Sequence, residues 1–250
     1  MTTYAAALDA YWAFLETFNS KDPDAWADVM SYPHVRVSPR GDSHIFETAA
    51  DYSSTHASWQ RFEATGWVRT QGIEPETVHQ ADDTVHLAGG WTRFDADDGI
   101  ILENRVTYVI TKVGESWGIQ ARFGVDSWGG EQGASPTETA AVDLIERYIK
   151  AWGAQDLAAC AALCNIPLIQ ANPGDVQRWP DAAACAEALS ARPWAPLSSH
   201  DVRATQVGGT AVNVAVEATL DGGDRREQAA FLVTRRDDHW GIQGRSVIEL

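Results

Sequence analysis

The sequence predicts two α+β domains in tandem, and three observations carry that prediction. The chain repeats itself: Ala6-Ala7-Leu8-Asp9 lies over Ala140-Ala141-Val142-Asp143, and Asp22, Pro33 and Pro39 lie over Asp156, Pro167 and Pro173, all at one spacing of 134. Later, Trp117-Gly118-Ile119-Gln120-Ala121-Arg122 lies over Trp240-Gly241-Ile242-Gln243-Gly244-Arg245 at the smaller spacing of 123, so the middle of the second copy carries deletions. Within each copy helical periodicity comes first and strand-like alternation follows, the order of an α+β domain. Between the copies, Gly129-Gly130-Glu131-Gln132-Gly133-Ala134-Ser135-Pro136 has the composition of a connector. The domains are expected at residues 1–128 and 137–250, with the linker at 129–136.

The elements are read in order. Leu8, Tyr11, Leu15 and Phe18 recur at helical spacing, as do Val142, Ile145, Ile149 and Trp152, which predicts a long first helix in each copy. Asp22-Pro23 reads as an N-cap with proline at the first helical position, and Asp156 takes the same capping role. Pro33 and Pro167 are expected to stop this short second helix. Residues 34–38 and 168–172 then read as a first strand. A third helix is expected from about Thr48 to Ala64, with a shorter counterpart at about Asp181 to Ser190. Val85–Phe94, Asn104–Thr111 and Trp117–Val125 read as an antiparallel meander, matched by Ala211–Leu220, Gln228–Thr234 and Trp240–Ile248.

Composition narrows the function classes. The chain has 250 residues, a formal net charge of −16 and 44% hydrophobic residues. That apolar fraction suffices for a packed core. Strong negative charge argues against nucleic acid and anionic membrane surfaces as partners. No apolar run has the length a bilayer requires. The first residues carry no basic and apolar leader pattern, and the three cysteines cannot all pair, so reduced thiols in the cytoplasm are expected. Cys160, Cys164 and Cys185 read as small core residues, because no further ligands complete a zinc pattern. Asp95-Ala96-Asp97-Asp98-Gly99 reads as a polar hairpin turn. There is no phosphate-binding glycine loop and no nucleophile elbow, and no cofactor is expected.

The element order resembles the nuclear transport factor 2-like superfamily, which includes ketosteroid isomerase and the SnoaL-like polyketide cyclases. The resemblance rests on the long helix, the capped short helix, the proline-led strand, the third helix and the meander ending in Trp-Gly-Ile-Gln-x-Arg, and it covers nearly the whole chain twice. It implies tandem cone-shaped α+β barrel domains, each a curved sheet around three helices with a pocket at its open end. It also implies pairing through the sheets, so the chain is expected to form its own pseudo-dimer, with a homodimer as a further possibility.

The two copies are unequal, which locates the expected chemistry. The first holds five of the seven histidines, seven of the eleven tryptophans and five of the six tyrosines. Aromatic walls suit a flat apolar ligand. In Pro33-His34-Val35-Arg36-Val37-Ser38-Pro39, alternation places Val35 and Val37 on one face and His34, Arg36 and Ser38 on the other. By resemblance, ketosteroid isomerase carries its general-base aspartate near the position of Ser38, facing the pocket. The second copy has Leu168, Gln170 and Asn172 there, so the first is the expected active copy and the second a degenerate partner. With serine at position 38, steroid isomerisation itself does not carry over.

Histidine suits proton transfer near neutral pH, and a neighbouring arginine favours its neutral, basic form. His34 is thus the candidate base or acid, and Arg36 the candidate oxyanion stabiliser. Tyr108 is the candidate hydrogen-bond donor, because its counterpart Phe231 lacks a hydroxyl. Tyr52 and His56 share a helical face, and with Trp59, Trp91 and Tyr11 they are candidates for contacting the substrate. Arg105, Asp51 and Asp126 rank below these. Trp12, Trp26 and Trp117 read as core, and Trp67 stays open. Arg122 and Arg245 recur in both copies and read as structural, pairing across a sheet-to-sheet contact, with an anion-binding role as the alternative. The expected function is a cofactor-independent acid/base enzyme (isomerase, lyase, dehydratase or cyclase) acting on a small apolar, aromatic or polyketide-like molecule. The alternative is a non-catalytic binding or assembly module of the same fold. An epoxide-hydrolase-like site would need an Asp–Arg–Asp trio that the sequence does not place.

Overall fold

The structure is a computed structural model that describes residues 3–125 and 136–250. The expected linker, apart from Pro136, lies outside the described residues, as do Asp126 and Trp128. The first domain runs α1 (Thr3–Asn19), α2 (Pro23–Asp28), β1 (Met30–Val37), β2 (Ser43–Phe46), α3 (Ala49–Thr55), α4 (Gln60–Glu63), β3 (Arg69–Gln80), β4 (Thr84–Phe94), β5 (Ile100–Val113) and β6 (Ser116–Val125). The second repeats the order as α5 (Pro136–Gly153), α6 (Leu157–Ala162), β7 (Cys164–Asn172), β8 (Asp175–Trp179), α7 (Ala182–Ser190), β9 (Leu197–Val207), β10 (Ala211–Leu220), β11 (Arg225–Arg236) and β12 (His239–Glu249).

Each domain builds one six-stranded sheet, in the orders β2-β1-β6-β5-β4-β3 and β8-β7-β12-β11-β10-β9. The meander is antiparallel as expected, but β1 pairs with β6, and β7 with β12, in parallel. The sheets are therefore mixed and open rather than closed barrels. The parallel pair joins the first and last strands of a domain, and such pairing needs a long connection, here everything between them.

Local chemistry explains the elements. Asp22 caps α2 by accepting from the backbone of Asp24 and Ala25, and Asp156 caps α6 through Ala159. Thr48 and Asp51 form a reciprocal capping box at α3. The expected third helix is split, because α3 ends at His56 before α4 begins at Gln60. Pro33 and Pro167 do not stop the short helices. Those end at Val29 and Leu163, and the prolines sit inside β1 and β7. The carbonyls of both prolines accept from the side-chain amides of Gln120 and Gln243. That explains one position of the repeated Trp-Gly-Ile-Gln-x-Arg. Its glycine allows close approach, since a Cβ at Gly118 would lie 2.6 Å from the Met30 carbonyl carbon. Its isoleucine, Ile119 or Ile242, is fully buried.

Helices cover the concave face of each sheet, and the other faces pack against each other. Val35, Val37, Val109, Ala121, Phe123 and Val125 form one cluster with Ile169, Ala171, Ala211 and Leu232 of the second domain. A Cβ at Gly244 would lie 2.9 Å from Phe123 Cε1, so this close contact requires glycine. Around the apolar layer, Asn213 donates to the Phe123 carbonyl at 3.0 Å, Gln206 to the Gly89 carbonyl at 2.7 Å, and the Gly174 N–H to Gln120 at 2.9 Å. His86 lies 3.0 Å from Ser246 Oγ across the same contact, and its other ring nitrogen meets His79 at 3.0 Å.

Arg122 and Arg245 do not pair across this contact. Each turns into its own domain, because alternation along β6 and β12 gives the apolar neighbours to the interface. Cys160, Cys164 and Cys185 are buried in the second core.

Phe123 is the largest side chain of the shared layer. Phe123→Ala is expected to cost roughly 3–5 kcal/mol and to split or broaden a single calorimetric unfolding transition. A loss under about 1 kcal/mol with unchanged cooperativity would show that the layer does not couple the domains.

Candidate functional site

The concave face of the first sheet and its helices enclose a cavity of about 250 Å³. Phe14, Leu15 and Phe18 of α1, Trp26 of α2 and Phe62 of α4 contribute apolar surface, and Trp91 and Val106 add to it from the sheet. The polar lining is Arg36, Arg93, Arg122, Ser38, Thr70 and Asn104. The corresponding space in the second domain is about 50 Å³. Sheet register identifies the equivalent positions. Trp91 pairs with Asn104 and Ala218 pairs with Glu227, so Ala218 and Glu227 hold the equivalent positions. Val247 stands where the first domain has Gly124, and its side chain occupies that place.

Arg36 and Arg122 are direct neighbours on the parallel strands β1 and β6. Arg122 is 8% exposed, donates to the Tyr52 hydroxyl at 3.2 Å and lies 5.0 Å from the Phe14 ring centre. Arg93 stacks 4.4 Å from Trp91 and 4.7 Å from Phe62. Among the described residues no carboxylate lies within ion-pair distance of the three. Arg36 is exposed and lines the cavity; desolvation by the neighbouring protein and then Arg122 lower its pKa to about 10. Desolvation, Arg61, Arg122 and Arg36 lower that of Arg93, also to about 10.

Of the residues singled out from sequence, Arg36, Ser38 and Trp91 line the cavity. His34, Tyr52, His56, Tyr108, Tyr11 and Trp59 stand behind its wall, while Asp51 is exposed in the cap of α3 and Arg105 pairs with Glu103 away from it. His34 is fully buried, with Nδ1 donating to the Ile119 carbonyl at 2.7 Å and Nε2 bare. Its ring packs 5.4 Å from that of Tyr52, which in turn touches Arg122. Desolvation, then Arg122, holds His34 well below the ordinary histidine range, so it is neutral. His56 is stacked on Tyr52, donates to its carbonyl at 2.7 Å and is lowered to about 4, first by burial. Tyr108 is buried between Tyr11 and Phe14, its hydroxyl without a partner and its pKa raised well above normal by burial. The Tyr11 hydroxyl bonds the Ile73 and Gly90 carbonyls at 2.6 and 2.8 Å. Trp59 packs into the core with Trp67.

The sequence does not single out Arg93, and it assigns Trp26 to the core and Arg122 to a structural role. Arg93 shares a face of β4 with Trp91, so alternation from that tryptophan would have found it. Trp26 both packs in the core and lines the cavity. No His, Cys, Asp and Glu group suited to a metal ion occurs among the described residues. None of their helices is long and apolar enough to cross a membrane.

Residues 6–125 match the model of a family described as NTF2-like protein (DUF6841), which covers the first domain. No curated protein matches the chain. Among solved structures, a domain with a cystatin-like fold from Nostoc punctiforme is 13% identical, covering 50% of this chain and 78% of its own, at a TM-score of 0.43. A ketosteroid isomerase-like protein from Erwinia carotovora atroseptica is 16% identical over 44% of this chain and 95% of its own, at 0.35. An NTF2-like protein with a cystatin-like fold from Novosphingobium aromaticivorans is 16% identical over 44% and 80%, at 0.35.

His34, His56, His79 and His86 are at most 2% exposed, and burial depresses all four, His56 and His79 to about 4. Unfolded, each would bind a proton below about 6.5. Their contribution is therefore complete above that pH and is lost as pH falls toward 4, at ~1.4 kcal/mol per histidine per pH unit. Urea midpoints are expected to fall steeply between pH 6.5 and 4.5, and less steeply in a His79→Gln/His86→Gln variant. A flat profile in the parent would contradict the neutral, buried state.

Proposed function

We propose that this tandem NTF2-like protein takes a small, flat, largely apolar molecule into the cavity of its first domain, the second domain serving as a structural partner. One observation carries the reading: the same fold occurs twice in the chain, with an open space of about 250 Å³ in one copy and about 50 Å³ in the other. Aromatic and aliphatic side chains supply most of the lining, as suits a ring-bearing ligand.

Binding without chemistry is the reading this lining favours. A general base must reach the proton it removes, and the lining contains no histidine, carboxylate, cysteine, tyrosine or lysine. The second reading is a cofactor-independent acid/base enzyme, an isomerase, lyase, dehydratase or cyclase on an aromatic or polyketide-like substrate. It is favoured by His34, which is neutral with Nε2 bare, and by Tyr108, whose hydroxyl is also unpaired, both one side-chain layer behind the wall. In that reading Arg36 stabilises charge at the substrate and His34 moves the proton once Tyr52 or Arg122 gives way.

Tryptophan fluorescence should report ligands directly, because Trp26 and Trp91 line the cavity. Across a panel of aromatic ketones, phenols and acids, the parent is expected to show saturable quenching. Gly124→Val copies the second domain, a Cβ at that position meets only ordinary contacts at 3.4 Å and 3.6 Å, and the variant should weaken binding at least tenfold with the fold retained. Unchanged affinity in Gly124→Val would remove the cavity from the account.

His34→Gln separates the two readings. Binding retained, with no turnover of any bound compound by the parent, supports the non-catalytic reading. Turnover by the parent that His34→Gln abolishes supports the enzyme.

A further inference from the structure

We propose that the ligand of the first-domain cavity is an organic anion: a carboxylate held by Arg36, Arg93 and Arg122, with its apolar body against the aromatic lining. This rests on the small-molecule reading above and adds the charge of the ligand.

Three guanidiniums share one cavity in a chain with 35 acidic residues and a net charge of −16, yet no carboxylate lines that cavity. They are held there without being neutralised. Arg93 is fixed by stacking on Trp91 and Phe62, and Arg122 by Phe14 and the Tyr52 hydroxyl. Stacked guanidiniums keep their full charge and their free fork of donors. Arg36 and Arg122 stand side by side on neighbouring strands, so their repulsion persists until an anion arrives. Buried donors also wait for an acceptor, since Nε of both Arg93 and Arg122 is enclosed and unbonded. A buried donor without a partner is costly, and carboxylate oxygens would supply the missing acceptors.

The second domain provides the contrast within the same molecule. Where its cavity is filled, the positive charge is reduced. Gln170 replaces Arg36, and the register of β10 with β11 puts Leu220 in the place of Arg93. Glu227 replaces Asn104 and lies 3.4 Å from Arg192. The retained Arg245 donates to Gln170 at 2.7 Å and to the Tyr148 hydroxyl at 2.9 Å. Positive charge therefore accumulates only in the copy that keeps an open cavity. The flat carboxylate matches the guanidinium fork, and a mostly apolar remainder of small volume leaves room for one such group beside a ring.

The test uses the full chain and matched pairs of probes: benzoate with benzamide, 2-naphthoate with 2-naphthamide, and cyclohexanecarboxylate with its amide, read by tryptophan fluorescence and by calorimetry. Phenylphosphonate and inorganic phosphate report whether any anion suffices. The acids are expected to bind at least tenfold more tightly than their amides, and more weakly as salt rises. Arg36→Gln and Arg93→Gln should each erase most of that preference, bringing the acid of a pair to the affinity of its amide. Arg69→Gln, at an exposed ion pair with Asp98, should leave it intact. Arg36 is solvent-reaching, so its variant is readable even where loss of Arg93 disturbs the fold. Acids and amides binding equally would overturn the anion assignment while leaving the small-molecule reading standing. Binding of none of the probes would overturn both. Phosphate alone matching the aromatic acids would overturn the carboxylate and its apolar body.

Discussion

The apolar layer between the two sheets constrains everything else in the molecule. Val35, Val37, Val109, Ala121, Phe123 and Val125 cannot face solvent without losing several side chains' worth of burial, so each strand commits alternate residues to that layer. A one-residue slip would turn valines into the cavity and His34, Arg36 and Arg122 into the interface. Register is thereby fixed by packing on the far side of the sheet. The polar residues of β1 and β6 are left with one destination, the concave face. The tandem arrangement gives each sheet a partner within the same chain.

Duplication then lets the two concave faces diverge. Both copies keep what the sheet needs: the capping aspartates Asp22 and Asp156, the glycine that admits a crossing strand, the glutamine that satisfies a proline carbonyl, and an inward arginine. The second copy closes its interior with Val247, Leu220 and Phe231 and gives Arg245 two internal acceptors, its Nη2 remaining unbonded. The first keeps glycine at position 124 and leaves several buried polar atoms bare, among them His34 Nε2, the Tyr108 hydroxyl and Nε of Arg93 and Arg122. Buried polar groups are ordinarily paired. Of the bare ones, Nε of Arg93 and Arg122 belongs to side chains that line the cavity, and His34 and Tyr108 stand behind it.

Much of the fold was legible in the sequence because its signals are local. Leu8, Tyr11, Leu15 and Phe18 announce α1 by spacing, Asp22 announces its cap, and the alternation around Val35 assigns both faces of β1. The parallel pairing of β1 with β6 was not legible, since it joins strands more than eighty residues apart by contacts that no short window contains. The break between α3 and α4 and the short edge strands β2 and β8 were lost for a related reason: tertiary packing decides them. The site was half legible. Arg36 and Trp91 follow from face and composition. Alternation also sent His34 inward, correctly, but could not reveal that Tyr52 and Phe46 would cover it. The arginine cluster draws on positions 36, 93 and 122, which only the sheet brings together.

The most direct measurement is crystallographic: crystals of the full chain exposed to 4-bromobenzoate, with the bromine located by its anomalous scattering. One strong peak is expected inside the first-domain cavity, with the carboxylate directed to Arg36, Arg93 and Arg122, and none inside the second domain. A peak in the second domain, a reversed molecule with bromine against the arginines, or an empty first cavity at saturating ligand would contradict it.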